Sequence, residues 1–375
     1  MSRALVVGDG SAAYVLPALR SLGRAGWTLG VGQPAPGSGT TSRWCSAYHP
    51  VPRAEDDEQR WLDAVVQAVR AGSYDVVFPA DDIELLALSA HRDRVPALVP
   101  YPAHAAVVAA VDKLTLTRAA ERVGMGTPRT LDATDDAVAA STAPVVVKAR
   151  LHWSPGDRAP DRHLPVQIAT GPDAIRAAVA AVRAGGGEPV LQEVLDGTLM
   201  AVSAVADRSG TLVAYSQQET TRQTLRRTSA RAHTVAADPG LEDGVRALLR
   251  ELGWWGIANL QFLRGADGVP RLIDLNARFY GSLALAVRAG ADLPRAWADV
   301  ALGGSVAPAL RSRPGVRFQA LDEDLLAVRA GDGVLAGAAG ALAHGLGATH
   351  SVWDRHDPGP LVQRLAQRVA RRVRG

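Results

Sequence analysis

The feature that most restricts the fold of this chain is a pair of alternating apolar and polar runs separated by a short glycine turn. The runs cover residues 257–264 and 269–276, and the turn between them is Gly265-Ala266-Asp267-Gly268. This pattern predicts a β-hairpin, because glycine permits a tight turn and side chains alternate between the two faces of a strand. We expect the turn to place Arg264 opposite Val269.

The polar face of this predicted hairpin is rich in oxygen. The expected register pairs Gln261 with Leu272, Asn259 with Asp274, and Ile257 with Asn276. One face then holds Asn259, Gln261, Asp274 and Asn276, and the core face holds Leu260, Phe262, Ile273 and Leu275. Oxygen ligands with a single formal negative charge suit a hard cation that phosphate groups already partly satisfy, such as Mg2+ on ATP. A solvated sheet face that binds nothing is the alternative, and the hairpin alone leaves both interpretations open.

Only two of the 41 basic side chains are lysines, Lys113 and Lys148. Lysine carries a compact ammonium on a flexible stem, whereas arginine carries a rigid planar guanidinium. A site that places a point charge on phosphate oxygens therefore resists the replacement of lysine by arginine. A coding bias that replaces lysine with arginine and leaves two lysines by accident is the alternative. The pair therefore indicates a phosphate site to be tested.

The first hundred residues predict an α/β unit with a mostly parallel sheet. Short apolar runs such as 4–7, 28–31 and 75–78 alternate with amphipathic stretches. Glycines at 8 and 10 fit a loose dinucleotide-binding pattern, but the second strand lacks the acidic residue that would hold a ribose hydroxyl. We interpret these glycines as a tight turn, and we expect residues 34–60 to form a surface loop.

Composition restricts the class of protein. With 375 residues, 47% of them apolar and 21% charged, the chain is long enough for two or three globular units. A formal net charge of +3 gives no indication of a nucleic-acid partner. The single cysteine excludes an intrachain disulfide. The first residues of the sequence do not resemble a secretory signal. No apolar run reaches the ~20 residues that a membrane span needs. We expect a cytoplasmic enzyme.

Residues 259–262 followed by 272–278 resemble the metal-binding hairpin of the ATP-grasp superfamily, particularly carboxylate–amine ligases and carbamoyl-phosphate-synthetase-like members. The usual form there ends in Glu-x-Asn-Pro-Arg, so Asp274 and Ala277 are departures. Further matches follow in the expected order at 111–113, 144–148 and 189–194. The resemblance covers residues 111–303, and 4–100 look more loosely like the α/β domain that precedes it.

The resemblance implies an α/β fold of the α+β ATP-grasp type, in three parts. We expect an N-terminal parallel-sheet α/β domain at 1–110, an ATP-grasp domain pair at 111–303, and a small C-terminal extension with a basic helix at 304–375. The loop after Lys148, residues 151–158, is in the position of a phosphate lid. Residues 196–200 lack the acidic residue that often holds the ribose hydroxyls.

The resemblance also implies site residues and a reaction. The residues for the nucleotide are Lys113, Lys148, Gln192, Glu193, Val194 and Leu195; those for the metal are Gln261, Asp274 and Asn276; and those for catalysis are Arg278 and Lys148. The metal is Mg2+, one ion or two, with Mn2+ as an alternative. The reaction joins a small-molecule carboxylate to an amine through an acyl phosphate, releasing ADP and phosphate. The chain acts either alone or as a homodimer. The alternatives to the ligase are an ATP-binding regulatory or degenerate module without ligase activity and, less favoured, a dinucleotide-dependent oxidoreductase.

Three charged segments have two interpretations each. Asp81 and Asp82 end a predicted strand, where they either contact a ligand or cap a helix. Arginines in 219–231 either face an acidic substrate or form a solvated loop. The tail arginines, from Arg364 to Arg374, either contact an anionic surface or belong to an ordinary exposed helix face, of which this pattern is more typical.

Overall fold

The computed structural model describes residues 2–10, 12–151, 153, 156, 166–224, 228–329 and 334–374. Its first unit is a parallel four-stranded sheet with helices. The elements are β1 (Arg3–Val7), α1 (Ala12–Arg24), β2 (Thr28–Gln33), β3 (Cys45–Pro50), α2 (Glu58–Gly72), β4 (Val76–Pro79) and α3 (Asp82–Ala90). The strand order is β3-β2-β1-β4, with parallel pairing throughout. The predicted N-terminal parallel sheet is therefore confirmed.

The glycines that follow β1 have a structural explanation. A Cβ atom on Gly8 would lie 2.9 Å from the Cβ of Ala80, so the close approach of the β1 and β4 ends requires a residue without a side chain. Gly10 has a φ of 97°, which glycine adopts without strain. Both observations agree with the interpretation of a tight turn.

A smaller antiparallel sheet follows two linking helices. The elements are α4 (His104–Val111), α5 (Lys113–Arg122), β5 (Thr130–Asp132), α6 (Asp135–Ala140), β6 (Val145–Ala149), β7 (Gln167–Ala169), α7 (Pro172–Ala184) and β8 (Pro189–Glu193). The strand order is β5-β8-β6-β7. This unit has its own core, in which α7 packs Ile175, Val179 and Val182 against Val147 and Leu191 of the sheet.

A larger sheet of seven strands forms the centre of the molecule. The elements are β9 (Thr198–Ala206), β10 (Leu212–Gln223), β11 (Ser229–Val235), α8 (Pro239–Glu251), β12 (Gly256–Arg264), β13 (Pro270–Asn276), α9 (Leu283–Ala289), α10 (Leu293–Ala301), β14 (Leu310–Arg311), β15 (Arg317–Gln319), α11 (Leu321–Arg329), α12 (Val334–Gly345) and α13 (Gly359–Arg374). The order is β13-β12-β9-β10-β11-β15, and β14 pairs with β10. Two short strands beyond the expected boundary at 303/304 thus belong to this sheet, and the boundary itself stays a prediction.

The N-terminal unit packs on the large sheet through aromatic side chains. The indole ring of Trp297 on α10 lies 4.7 Å from the ring of Phe78, 5.2 Å from Tyr101 and 5.3 Å from Phe279, measured between centroids. The Tyr101 hydroxyl donates a 2.8 Å hydrogen bond to the carbonyl of Ala277, just beyond β13. These buried contacts fix the end of the hairpin against the N-terminal unit.

None of the helices in the described part of the chain combines the length and the apolarity of a membrane-spanning segment.

Candidate nucleotide and metal site

The hairpin forms, but its register differs from the expected one. Asn259 pairs with Asn276 and Gln261 pairs with Asp274, whereas nearer the turn Phe262 pairs with Leu272. The predicted pairing of Arg264 with Val269 was wrong, because the turn is one residue longer and a bulge is present.

The bulge lies at Ile273, which has no partner between the pairs formed by Asp274 and Leu272. It reverses the expected burial of these neighbours: Leu272 is buried in the core, and Ile273 is only half-buried. The polar pairs still meet across the strands, and the Asn276 amide donates a 3.4 Å hydrogen bond to Oδ1 of Asn259. The oxygen-rich face is therefore present in a different register.

The two lysines meet at this hairpin. The Nζ atom of Lys113 lies 2.8 Å from Oδ1 of Asp274, and Lys113 is only 5% exposed. The Nζ atom of Lys148, on β6 of the small sheet, donates a 3.3 Å hydrogen bond to the carbonyl of Ile273. Two ammonium groups and one carboxylate therefore lie together where the small sheet faces the large sheet.

Lys113 is positioned by the start of α5. Asp112 caps this helix, and its Oδ1 accepts from the backbone N–H groups of Leu114 and Thr115 at 3.0 and 2.8 Å. The other oxygen of Asp112 binds the guanidinium of Arg150, and the Lys113 N–H donates to the carbonyl of Arg150 at 3.1 Å. Since Arg150 directly follows β6, these bonds fix the distance between the strand of Lys148 and the helix of Lys113.

The charge of Lys148 is sensitive to its surroundings. Burial lowers the pKa of Lys148 to about 8, the Asp274 carboxylate opposes this shift, and the Lys113 ammonium adds to it. An anionic group placed between the two ammonium groups would favour the protonated form of Lys148. Such a cluster suits a phosphate group.

The segment expected to contact adenine is the end of β8. Gln192 is buried, and its amide donates a 3.0 Å hydrogen bond to the Thr130 hydroxyl on β5. The Glu193 carboxylate is exposed and accepts from the backbone N–H of Arg129 at 3.1 Å. Val194 and Leu195 follow as half-buried residues between β8 and β9. These four residues join the small sheet to the large one, and their contact with adenine stays a prediction.

Arg278 contacts the N-terminal unit instead of the two lysines. Its Nε and Nη2 atoms donate to the two carboxylate oxygens of Asp82 at 3.1 and 3.0 Å, and its Nη1 donates to the Phe279 carbonyl at 3.0 Å. Its guanidinium also lies 5.0 Å from the ring centroid of Tyr14. Burial alone would lower the pKa of Arg278, but the carboxylates of Asp82 and Asp81 outweigh burial and raise it. Arg278 is thus a buried link between units, and its role in catalysis stays a prediction.

Asp81 serves as the cap of α3, since its Oδ1 accepts from the N–H of Asp82 at 2.6 Å. Burial raises the pKa of Asp81 to about 6; Arg278 opposes this shift, and Asp82 and Asp9 add to it. The folded state therefore binds this proton more tightly than the unfolded state, whose carboxyl titrates near 3.8. The contribution of Asp81 to stability is fully present below the unfolded pKa and is lost as pH rises through about 6.

Replacement of Asp81 by Asn tests this dependence, because the amide keeps the capping oxygen and removes the charge. We expect the variant to be more stable than the parent at pH 8 by on the order of 2 kcal/mol, and to match it near pH 4. Urea denaturation at several pH values measures the difference. Parallel profiles for the two proteins from pH 4 to 8 would show that Asp81 has an ordinary pKa.

The loop after Lys148 is described only in part. Trp153 is fully buried in the main core, and the Gly156 N–H donates to the Glu58 carboxylate of α2 at 2.7 Å. The other positions of the expected lid, His152, Ser154, Pro155, Asp157 and Arg158, lie outside the described residues. The described part of the loop therefore contacts the N-terminal unit.

The described arginines of β10 and β11 have a structural role that the sequence did not indicate. Arg222 and Arg231 lie 3.3 and 2.7 Å from the carboxylate of Asp324, which is fully buried at the start of α11. Glu219 pairs with Arg264 at 2.6 Å. Arg226 and Arg227 lie outside the described residues. The described arginines neutralise a buried carboxylate of the C-terminal extension.

The donor set at the hairpin fits a hard divalent cation that phosphate completes. Asp274 supplies carboxylate oxygens, and Gln261 and Asn276 supply amide oxygens on the two paired strands. No group of three or more His, Cys, Asp or Glu within the described ranges is placed to hold a metal ion. Oxygen ligands of this kind suit Mg2+ or Mn2+ and do not suit zinc. An ion held here therefore needs the oxygens of a bound nucleotide.

Comparison with known proteins agrees with the fold. Residues 188–323 match the family model described as ATP-grasp in the biosynthetic pathway with Ter operon. No curated protein matches the chain significantly.

Solved structures of the same fold share little sequence with the chain. The biotin carboxylase domain dimer of Hydrogenobacter thermophilus 2-oxoglutarate carboxylase, solved with MgADP, has a TM-score of 0.68 and 12% identity, over 84% of this chain and 73% of that one. The L-amino acid ligase of Bacillus licheniformis has a TM-score of 0.65 and 14% identity, over 84% and 78%. N5-carboxyaminoimidazole synthetase of Staphylococcus aureus has a TM-score of 0.64 and 13% identity, over 84% and 80%. Residues 188–323 are thus similar to an ATP-grasp family, and the chain shares the fold of these solved enzymes.

Proposed function

We propose that this chain is an ATP-dependent carboxylate–amine ligase that forms an amide bond and releases ADP and phosphate. The observation that carries the proposal is the meeting of Lys113, Lys148 and Asp274 between the two sheets. The ammonium groups suit the phosphates, and the oxygen donors beside them suit the metal that accompanies ATP. The L-amino acid ligase fold neighbour supports an amine as the second substrate.

Each predicted site residue has a part in this proposal. Lys113 and Lys148 bind the phosphates, and the β8 end, residues 192–195, contacts the adenine. Gln261, Asp274 and Asn276 hold one or two Mg2+ ions, and Mn2+ can replace them. When bound, the metal offsets negative charge on the phosphates. Because Asp274 now binds Lys113, nucleotide binding would transfer the Lys113 ammonium from Asp274 to a phosphate oxygen.

The reaction proceeds in two steps. A carboxylate oxygen of the first substrate attacks the γ-phosphorus of ATP, the bond to the β–γ bridging oxygen breaks, and an acyl phosphate and ADP result. The amine nitrogen then attacks the acyl carbon, phosphate leaves, and the nitrogen loses a proton to give the amide. The protein contributes mainly by positioning and by electrostatic stabilisation, since phosphoryl transfer needs little covalent assistance.

Arg278 can assist this transfer while it stays paired. An arginine has five N–H donors, and three of those on Arg278 bind Asp82 and the Phe279 carbonyl. We propose that the remaining two donate to the transferred phosphoryl group. Asp82 therefore serves as a positioning residue for Arg278.

An assay of ADP release with paired carboxylates and amines tests the proposal. We expect nucleotide turnover that requires both partners and Mg2+. Tight ATP binding without turnover for any pair would indicate the regulatory or degenerate module, and a flavin or nicotinamide spectrum would indicate the oxidoreductase. We also expect the partners to be small molecules and not nucleic acid, and we expect the enzyme to act in the cytoplasm. Light scattering measures whether two copies of the chain form a dimer.

A further inference from the structure

A row of polar side chains leads from the candidate metal site across the large sheet. Asn276 of β13 pairs with Asn259 of β12, Asn259 pairs with Ser203 of β9, and Ser203 pairs with Ser216 of β10. Side chains of directly paired residues lie on the same face of a sheet, so these four residues form one polar row. Asn276 is half-buried, whereas Asn259, Ser203 and Ser216 are 2%, 1% and 3% exposed. The row therefore continues from the site into the interior of the protein.

Two hydrogen bonds join the first three members of the polar row. The Asn276 amide nitrogen donates to Oδ1 of Asn259 at 3.4 Å, and the Asn259 amide nitrogen donates to the hydroxyl oxygen of Ser203 at 2.8 Å. An asparagine amide donates through its nitrogen and accepts through its oxygen. Since the nitrogen of Asn276 is directed to Asn259, its oxygen is left for another partner. This orientation suits a cation, which binds an amide oxygen and is repelled by the N–H groups.

We propose that Asn259 and Ser203 are positioning residues, which hold the amide of Asn276 with its oxygen toward the metal. Asn259 itself does not bind the ion, because both ends of its buried amide are used within the polar row. Loss of a side chain that orients a metal ligand without touching the metal commonly lowers metal affinity about 10- to 100-fold. The role of both residues rests on the proposed function, since the ion is the one that accompanies ATP.

The Ser203 hydroxyl favours one of two orientations of the Asn259 amide. In the observed orientation the buried Asn259 nitrogen donates to Ser203, and without that oxygen it would lose its acceptor, which costs free energy. Reversal of the amide would instead let the Asn259 nitrogen donate to the oxygen of Asn276. That oxygen would then accept a hydrogen bond from Asn259 in place of binding the cation. Loss of the Ser203 hydroxyl should therefore weaken metal binding, although Ser203 lies two strands away from Asn276.

Titration calorimetry of ATP binding to the full chain, with Mg2+ and then with EDTA in place of Mg2+, tests the proposal. We expect Mg2+ to tighten ATP binding to the parent. Ser203→Ala and Asn259→Leu should each weaken binding in Mg2+ on the order of tenfold and leave binding in EDTA unchanged, because Lys113 and Lys148 bind the phosphates with or without the metal. A merely structural role would weaken binding under both conditions. Raising the Mg2+ concentration should also restore the turnover of Ser203→Ala.

The matched control is Ser216→Ala, which makes the same change at the next member of the polar row, a serine that is similarly buried. It should bind Mg2+-ATP like the parent. Ser203→Ala removes a single oxygen and should fold even if Asn259→Leu does not, and circular dichroism checks both.

Equal weakening of Mg2+-ATP binding in Ser216→Ala and Ser203→Ala would overturn the proposal, as would parent-like Mg2+-ATP binding in Ser203→Ala. Equal loss with Mg2+ and with EDTA would overturn it in favour of a structural role. A parent that binds ATP no more tightly with Mg2+ than with EDTA would overturn the metal assignment of the proposed function, and the role of both positioning residues with it.

Discussion

Replacement of Asp274 by Asn is expected to lower ATP turnover on the order of 100-fold or more at saturating Mg2+. The change removes the only formal negative charge that the hairpin offers to a metal, while the amide preserves shape. It also removes the partner of Lys113, whose ammonium is nearly buried and lies 2.8 Å from Asp274. We therefore expect a loss of about 1–3 kcal/mol in the free energy of unfolding without nucleotide.

Two measurements separate these effects. Turnover is followed as ADP release with a substrate pair that the parent uses, and Mg2+-nucleotide affinity is measured by titration calorimetry on the folded variant. The matched control is Asp274→Glu, which restores the charge and the side chain usual in the family. It should retain far more activity and stability than the amide. Normal turnover and normal Mg2+-nucleotide affinity in Asp274→Asn would show that the metal assignment is wrong.

Replacement of Arg278 by Met is expected to cost about 3–5 kcal/mol of stability, because it removes the guanidinium that binds both oxygens of the nearly buried Asp82 carboxylate. Both side chains are nearly buried, and two hydrogen bonds of 3.0–3.1 Å join them. The substitution should weaken the contact between the N-terminal unit and the hairpin. Thermal or urea unfolding measures the loss of stability.

The double variant Asp82→Asn/Arg278→Met distinguishes anchoring from catalysis. Removing both charges should recover a large part of the stability, because the Asp82 carboxylate is neutralised together with the guanidinium that binds it. Turnover should stay low in the double variant if Arg278 also acts on the transferred phosphoryl group. The control is Arg295→Met, at an exposed arginine 3.7 Å from Asp299, where the loss should be below about 1 kcal/mol. An Arg278→Met protein as stable as this control would contradict the proposed link between units.

Local patterns in the sequence sufficed for much of the fold. The alternating runs around 265–268 predicted the hairpin, and the apolar runs of the first hundred residues predicted the parallel sheet. The edge strand β3, in contrast, lies inside the segment expected to be a surface loop. Its residues, Cys45–Pro50, are mostly half-buried and lack apolar alternation, so backbone pairing with β2 stabilises a strand that side chains do not signal.

The sequence indicated that the two lysines and the hairpin would lie together, but it did not indicate their geometry. The types and order of Lys113, Lys148 and Asp274 indicated a shared phosphate site, and the structure brings them together. The bulge at Ile273 was not predictable, because one unpaired residue depends on how both strands pack. The pairing of Arg278 with Asp82 spans 196 residues, and no local pattern identifies such a partner.

The most direct test of the site is a crystal structure of the chain with Mn2+ and a non-hydrolysable ATP analogue, in which anomalous scattering locates the metal. We predict an ion about 2.1 Å from oxygens of Asp274 and of the nucleotide phosphates, with the Nζ atoms of Lys113 and Lys148 on the same triphosphate. A nucleotide and metal bound elsewhere, with Asp274 still paired to Lys113, would contradict it.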